Sequence, residues 1–461
     1  MPINFVKYPA NIIRSIEDQE PIESISAQGL KIWPILRNVI FDRLEKREIE
    51  RKKTGIKKVF SSLQNYFWQV KNRNKHFSAL LFTDSLEEQR IDGKISDKIA
   101  HNILKELGDD ILLVTNTLGE KHKQIQKYAH PHCLNTSYFT LPAKWAKKIS
   151  PIENGQILKS INQTLNLDID FQDTINLFFT YVHIFDAYLL KAKPNNIFIN
   201  CSYSILHQAL NYSAKKQDIQ TIELQHGVIS KMQSPYMPSK DISRKTYPDC
   251  FLSFGRDEKD RISPNFIPSK NIYPIGHFYL ERMKNKIFDK KTENYFKSLY
   301  DKYEKIITIS SQETIEKELF NFVKKASERL PHVGFIFVPR KDHTFSFKNK
   351  LPENIILNSK IDLYTNTRFS DFHSSVYSSF ASEALFLETP NIMINIQGLS
   401  RAYFSDVFKN NALVKFVETP EEYANLIQNW MPNQSEFKER NDQLFEQNNF
   451  EAVQKFMKIL S

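Results

Sequence analysis

The feature that most constrains this chain is an alternation of short apolar runs with amphipathic segments. FSALLF at Phe77–Phe82, ILLVTN from Ile111, NIFIN at 196–200, TIELQHG at 221–227 and CFLSFG at 250–255 are strand-length runs, and YSILHQALNYSAKK at 203–216 has a helical rhythm. A second series begins near residue 303. There EKIITISS, VGFIFVP, NIILN, FSDFHSS and NIMINI are separated by the helical segments TIEKELFNFVKKASERL and SSFASEALFLETP. Such alternation predicts parallel sheets covered by helices. Two separate series predict two Rossmann-like α/β domains facing a central crevice. Ligands of such sheets bind outside the carboxyl ends of the strands.

The length of 461 residues suits two domains. The reading places a helical extension at 1–70, a first domain at 71–276, a linker at 277–302 and a second domain at 303–461. In the extension, Ile32, Ile35, Leu36, Val39 and Ile40 keep a helical rhythm, with Pro34 in a first turn. IDGKISDKIAHNILKELGDD reads as a loop and a helix, 141–191 as mainly helical, and 418–429 and 443–460 as closing helices. Asp168-Ile169-Asp170 reads as a helix cap.

Three dispersed cysteines, Cys133, Cys201 and Cys250, exclude a disulfide framework or a Cys-based zinc site. His130-Pro131-His132-Cys133 lacks a distant fourth ligand, so no metal is expected. No run of about 18 apolar residues marks a spanning helix. The expected location is cytoplasmic, with contact at the inner face of a membrane as an option. That option comes from charge. The chain carries a net +10, and 42–76 holds eleven Lys/Arg against four Asp/Glu, a surplus of +7. Beside it runs an apolar stripe, Ile56, Val59, Phe60, Leu63 and Phe67. The stripe packs on its own protein or meets an anionic surface or acceptor. No nucleic-acid-binding signature accompanies the charge.

Two motifs carry chemistry. Gln225-His226-Gly227 follows a strand, which puts an imidazole at a carboxyl end, where it serves as a general base or as a structural hydrogen-bonding group. Asp84 and Asp92 are the next candidates for a base. Ser378-Ser379-Phe380-Ala381-Ser382-Glu383-Ala384 opens a helix. Its hydroxyls and amides suit a phosphate, and Glu383, one turn on, suits sugar hydroxyls; a plain helix cap is the alternative.

Together, strand–Gln-His-Gly and Ser-Ser-x-x-x-Glu-Ala followed by Pro390 resemble bacterial cell-surface polysaccharide transferases of the GT-B fold. That group includes capsule and lipopolysaccharide glycosyltransferases and the related CDP-glycerol glycerophosphotransferases. Tyr247–Gly255 and Ile272–His277 resemble further landmarks of the group, so the resemblance spans roughly 196–400. It implies that His226 contacts or activates an acceptor, and that Ser378, Ser379 and Glu383 hold the donor diphosphate and ribose. It also implies phosphate contacts from Ser310, Ser311 and Gln312. The basic stretch of the group appears here as Val338-Pro339-Arg340-Lys341-Asp342-His343, without its first histidine, so Arg340, Lys341 or His343 supplies the charge. Glu388 stands where the group often has glycine.

The expected function is therefore sugar transfer from a nucleotide-activated donor to a surface polysaccharide or lipooligosaccharide, a glycan or lipid-linked acceptor, without metal. The alternatives are CDP-glycerol or CDP-ribitol polyol phosphate transfer, and non-hydrolysing nucleotide-sugar epimerisation.

Overall fold

The computed structural model describes residues 8–45, 76–84, 87–115, 130–145, 148–149, 151–339, 351–357, 360–433, 435–437 and 443–460. The chain divides into two compact units, Met1–Ile275 with Phe450–Ser461, and Gly276–Asn449. Each is built on one parallel sheet flanked by helices, as the two series predict. The strands of the two sheets are numbered here in chain order.

In the first unit these are β1 (Ala79–Thr83), β2 (Ile111–Thr115), β3 (Cys133–Asn135), β4 (Asn196–Asn200), β5 (Gln220–Leu224), β6 (Cys250–Ser253) and β7 (Ile272–Pro274). Their spatial order is β7-β6-β5-β4-β1-β2-β3, and every pairing is parallel. All five residues of β1 and of β2 are buried. Burial on both faces is why these strands read as continuous apolar runs rather than alternating ones. The chain runs outward from β1 to β3, then returns to lay β4 on the other side of β1. That reversal is a topological switch point.

The helices Pro9–Gln19 and Trp33–Leu44 precede this sheet. Ile13, Ile16, Trp33 and Leu36 share one continuous core with Leu80 and Phe82 of β1 and with Phe178 and Phe185 of the long helix Phe171–Ala192. Pro34 lies in the first turn of its helix. Asp170 caps the long helix by accepting from the Asp173 amide at 2.8 Å. The helix Asn449–Leu460 returns the chain to the first unit. Lys105 lies over the Phe450 ring at 5.1 Å, and the rings of Phe456 and Tyr273 are 5.0 Å apart. This helix therefore groups with 1–275, whereas the sequence reading places it in 303–461.

The second unit has β8 (Lys305–Ser310), β9 (Val333–Val338), β10 (Ile355–Leu357), β11 (Phe372–Ser375), β12 (Asn391–Ile394) and β13 (Val414–Val417). Their order is β10-β9-β8-β11-β12-β13, all parallel. Here the reversal falls between β8 and β11. The helix Glu316–Arg329 covers one face through Leu319, Val323 and Ala326.

Three further departures concern strands beside or at the edges of the two sheets. The expected loop at 91–100 contains a hairpin, Glu88–Ile91 paired with Lys94–Asp97. Its turn is Asp92-Gly93, with φ of 49° and 80°. An Asp-Gly pair with both residues at positive φ makes the two-residue turn that matches strand twist. The other two departures are the short edge strands β3 and β13. The basic stripe lies almost wholly within 46–75, outside the described residues. No helix among the described residues is long and apolar enough to cross a membrane.

Candidate functional site

In the first unit, Thr83 ends β1, Asn200 ends β4 and Glu223 stands near the end of β5. Asp97, at the end of the hairpin, reaches the switch point. One of its oxygens accepts from the amides of Ile99 and Ala100 at 2.8 and 2.7 Å. The other accepts from the Asn200 side-chain amide at 2.8 Å and from the Thr83 hydroxyl. Glu223 is buried completely. It accepts from the Ser202 amide at 3.1 Å, the Ser202 hydroxyl at 2.6 Å and the Tyr236 hydroxyl at 2.9 Å. Burial raises both carboxyls, Glu223 to about 7, against the lowering effect of these bonds.

His226 follows directly on this strand. Gln225 fixes the turn: its carbonyl oxygen accepts from the Phe254 amide at 2.5 Å, and its amide nitrogen donates to the Gly227 carbonyl at 2.9 Å. The imidazole Nε2 lies 3.3 Å from the Tyr203 hydroxyl, and the Tyr236 ring is 6.4 Å away. Burial pulls the imidazole down to about 4, the Leu224 backbone opposes the shift, Lys98 adds to it and Asp84 opposes it. His226 is therefore neutral at physiological pH. Asp84 also acts on His207 and Cys201; it follows β1, whereas Glu223 and His226 stand at the end of β5, with β4 between the two strands. Asp92 is exposed in the hairpin turn instead.

The second unit places hydroxyls at its own switch point. The Ser310 hydroxyl is 2.8 Å from His373 Nε2, and His373 Nδ1 is 2.6 Å from the Asn391 carbonyl oxygen. The Asn391 amide nitrogen donates to the Ala381 carbonyl at 2.9 Å, which fixes its orientation. His373 therefore carries its proton on Nδ1 and accepts from Ser310 at Nε2. Burial holds it near 4, hence neutral, against the Asn391 bond. This chain ties β8, β11, β12 and the helix Phe380–Phe386 together. Above it, Ser311 donates to Glu316 at 2.5 Å, Ser375 donates to the Ser310 carbonyl at 3.0 Å, and the Gln312 side chain accepts from the Tyr377 amide at 2.9 Å. Ser378 and Ser379 lead into the helix. One turn later, Glu383 Oε2 is buried with no hydrogen-bond partner among the described residues, and the Ser382 hydroxyl shares that condition. A buried carboxylate oxygen without a partner is costly in a finished fold.

No family model and no curated protein matches the chain. Solved structures do. A UDP-N-acetylglucosamine 2-epimerase matches with a TM-score of 0.52 at 10% identity, over 84% of this chain and 95% of its own. A putative UDP-N-acetylglucosamine 2-epimerase from Listeria monocytogenes gives 0.51 at 11%, over 83% and 95%. Anabaena HepE in complex with UDP and glucose gives 0.50 at 11%, over 84% and 99%. The fold is GT-B.

In this GT-B chain, Ser310, Ser311, Gln312, Ser378, Ser379 and Glu383 all fall at the end of the second sheet where the strand order reverses. Arg340, Lys341 and His343 lie outside the described residues. Among the described residues, no group of three or more His, Cys, Asp or Glu is placed to hold a metal ion. His130 instead bonds the Ile111 carbonyl at 2.6 Å, and burial raises the Cys133 thiol to about 12.

Sequence reasoning passed over Glu223, Tyr203, Tyr236, His373 and Asn391. Glu223 left a signal, a carboxylate inside a fully buried parallel strand. The two tyrosines left none, because they reach the site from separate loops.

Proposed function

We propose that this protein is an enzyme of nucleotide sugars whose second unit binds the nucleotide and whose first unit supplies proton transfer. The observation that carries this reading is the unpartnered, buried Glu383 oxygen beside serine hydroxyls at a topological switch point. A carboxylate there accepts from vicinal ribose hydroxyls, and Ser378, Ser379 and the loop amides donate to phosphate oxygens. Similar structures that carry UDP or act on UDP-sugars support the same ligand class.

Of the reactions open to such an enzyme, epimerisation of the sugar is the reading we favour. Two of the matched structures with the highest TM-scores are described as UDP-N-acetylglucosamine 2-epimerases. Inverting a carbon centre without a redox cofactor requires a proton to leave that carbon and another to arrive on the opposite face. His226, neutral at physiological pH, accepts a proton at Nε2, the nitrogen beside the Tyr203 hydroxyl, and Asp84 is the nearby carboxylate. Serine hydroxyls that stabilise the diphosphate ease its departure from the anomeric carbon as the neighbouring carbon loses its proton, and the same diphosphate adds back to the resulting double bond when a proton arrives on the opposite face.

Sugar transfer to a cell-surface glycan is the second reading, favoured by Gln225-His226-Gly227 and by the fold shared with the glycotransferase of kitacinnamycin, at a TM-score of 0.50. Calorimetry with UDP, UDP-N-acetylglucosamine, GDP and CDP-glycerol tests the common part. UDP and its sugar should bind, and Glu383→Ala should weaken UDP binding at least about tenfold, the value of one lost charge-assisted bond. Binding of none of the four compounds ends the nucleotide reading, and tightest binding of CDP-glycerol moves it to polyol phosphate transfer.

A further inference from the structure

The segment 228–247, which follows His226, contains only the single turn Ser234–Tyr236 as regular structure. A stretch of that length without a ladder leaves its carbonyls and amides in need of partners. The N-terminal helices supply them. Arg37 Nη1 donates to the Ser234 carbonyl at 2.6 Å. Arg37 Nε donates to Glu17 at 2.6 Å, and both side chains are 1% exposed. The other Glu17 oxygen accepts from the Ser239 amide at 2.8 Å and the Ser239 hydroxyl at 2.7 Å. Trp33 Nε1 donates to Glu17 at 3.1 Å. Burial works against the charge of Glu17, and Arg37 with the Ser239 bonds outweighs it, which keeps the carboxyl below its usual range. One ion pair therefore grips the segment on both sides of Tyr236.

Tyr236 is the piece held between those grips. Its hydroxyl donates to Glu223, and its ring packs on Tyr203 at 5.8 Å and faces His226 at 6.4 Å. Behind it stand Phe251 and Phe266, with ring centroids at 5.8 and 5.3 Å. The same helices touch the other wall, since Gln208 donates to the Pro34 carbonyl at 2.9 Å.

An apolar pair would fill the same volume at no desolvation cost. It could not hold a main-chain carbonyl and a main-chain amide in register. We propose that the Arg37–Glu17 pair is a positioning element for His226, clamping 234–239 so that Tyr236 closes the pocket around the imidazole. The N-terminal helices are then part of the first unit's chemical apparatus. The charged and titratable groups facing His226 are Asp84 and Lys98, with Tyr203, Tyr236 and Glu223 around it, and the clamp alters none of their charges.

The relevance to catalysis rests on the reading of His226 as the proton-transfer residue, but the test does not. Full-length protein labelled with ¹⁵N-histidine is titrated by NMR, with His226→Gln assigning the signal. His373 in the second unit is the internal control. Arg37→Lys keeps a charge beside Glu17 but gives up the planar fork that reaches both partners. It should raise the His226 titration midpoint by about one pH unit or more as water reaches the ring, and leave His373 in place. Ser239→Ala, at an exposed position that tolerates change, should move His226 the same way by less. In the epimerase assay, Arg37→Lys should lower kcat while KM for the nucleotide sugar holds.

Should Arg37→Lys fail to fold, Ser239→Ala decides. An unmoved His226 in the folded variants, or equal movement of His226 and His373, overturns the proposal. A moved His226 together with full activity of His226→Gln keeps the clamp and removes the catalytic reading.

Discussion

Glu223 and the two buried histidines respond to pH in opposite directions, and that makes their contributions separable. Glu223 is raised to about 7 in the folded protein, so the folded state holds a proton that the unfolded chain releases near its ordinary carboxyl value. Its favourable contribution is full below that value and is lost as pH rises through about 7. His226 and His373 are lowered to about 4, so their contribution is present above the ordinary imidazole value and fades as pH falls through about 4. Glu223→Gln should therefore gain stability relative to the parent as pH climbs from about 4.5 to 7, by up to about 1.4 kcal/mol for each pH unit crossed. Urea melts at several pH values check it, and parallel pH curves for the two proteins would contradict the assignment. His226→Gln should lower turnover by about 10²–10⁴ while UDP affinity holds, as expected for loss of a general base. Near-normal turnover takes His226 out of the chemistry. At this scale the sequence singled out His226 and Glu383 because each sits in a short local pattern. It did not show the tyrosine wall, because Tyr203 and Tyr236 meet His226 only after the turn at 201–204 and the segment 228–247 have folded.

The elements that were easiest to read are the buried central strands, since burial on both faces leaves only apolar residues available to them. Edge strand β3 is buried but only three residues long, and β13 is half-exposed in its middle, so neither makes an apolar run long enough to read. The 88–97 hairpin was visible only in its Asp92-Gly93 turn, which the apolar pattern around it did not support. Element packing also explains two glycines in the second unit. A Cβ on Gly334 of β9 would lie 2.8 Å from Tyr303 Cδ2 and 2.9 Å from Ile306 Cδ1. Gly276 has φ of 76°, and a Cβ there would lie 2.3 Å from the Glu446 carbonyl oxygen. Gly334→Ala should cost about 1–3 kcal/mol by overpacking. Gly276→Ala should cost more, because main chain yields less readily than a ring and the conformation disfavours a side chain. Denaturant midpoints would order the two, and a neutral Gly276→Ala would contradict this account of the turn.

At the scale of the whole molecule, the two sheets place polar groups by the same rule. Each runs outward from a central strand and returns to its other side, and the polar cluster sits where the order reverses. Two α/β domains were legible from the alternation of patterns, because local periodicity encodes it. The allocation of the last helix was not, because its partners, Lys105 and Tyr273, are far away in sequence. The proposed reaction is a change of configuration within a nucleotide sugar. It is tested most directly by incubating the protein with UDP-N-acetylglucosamine in D₂O, with no acceptor, and following the sugar by proton NMR. A second isomer should form with deuterium at the inverted carbon, both abolished by His226→Gln. A sugar that stays unlabelled and unchanged until a glycan acceptor is added, and then leaves its UDP, would contradict it and establish transfer.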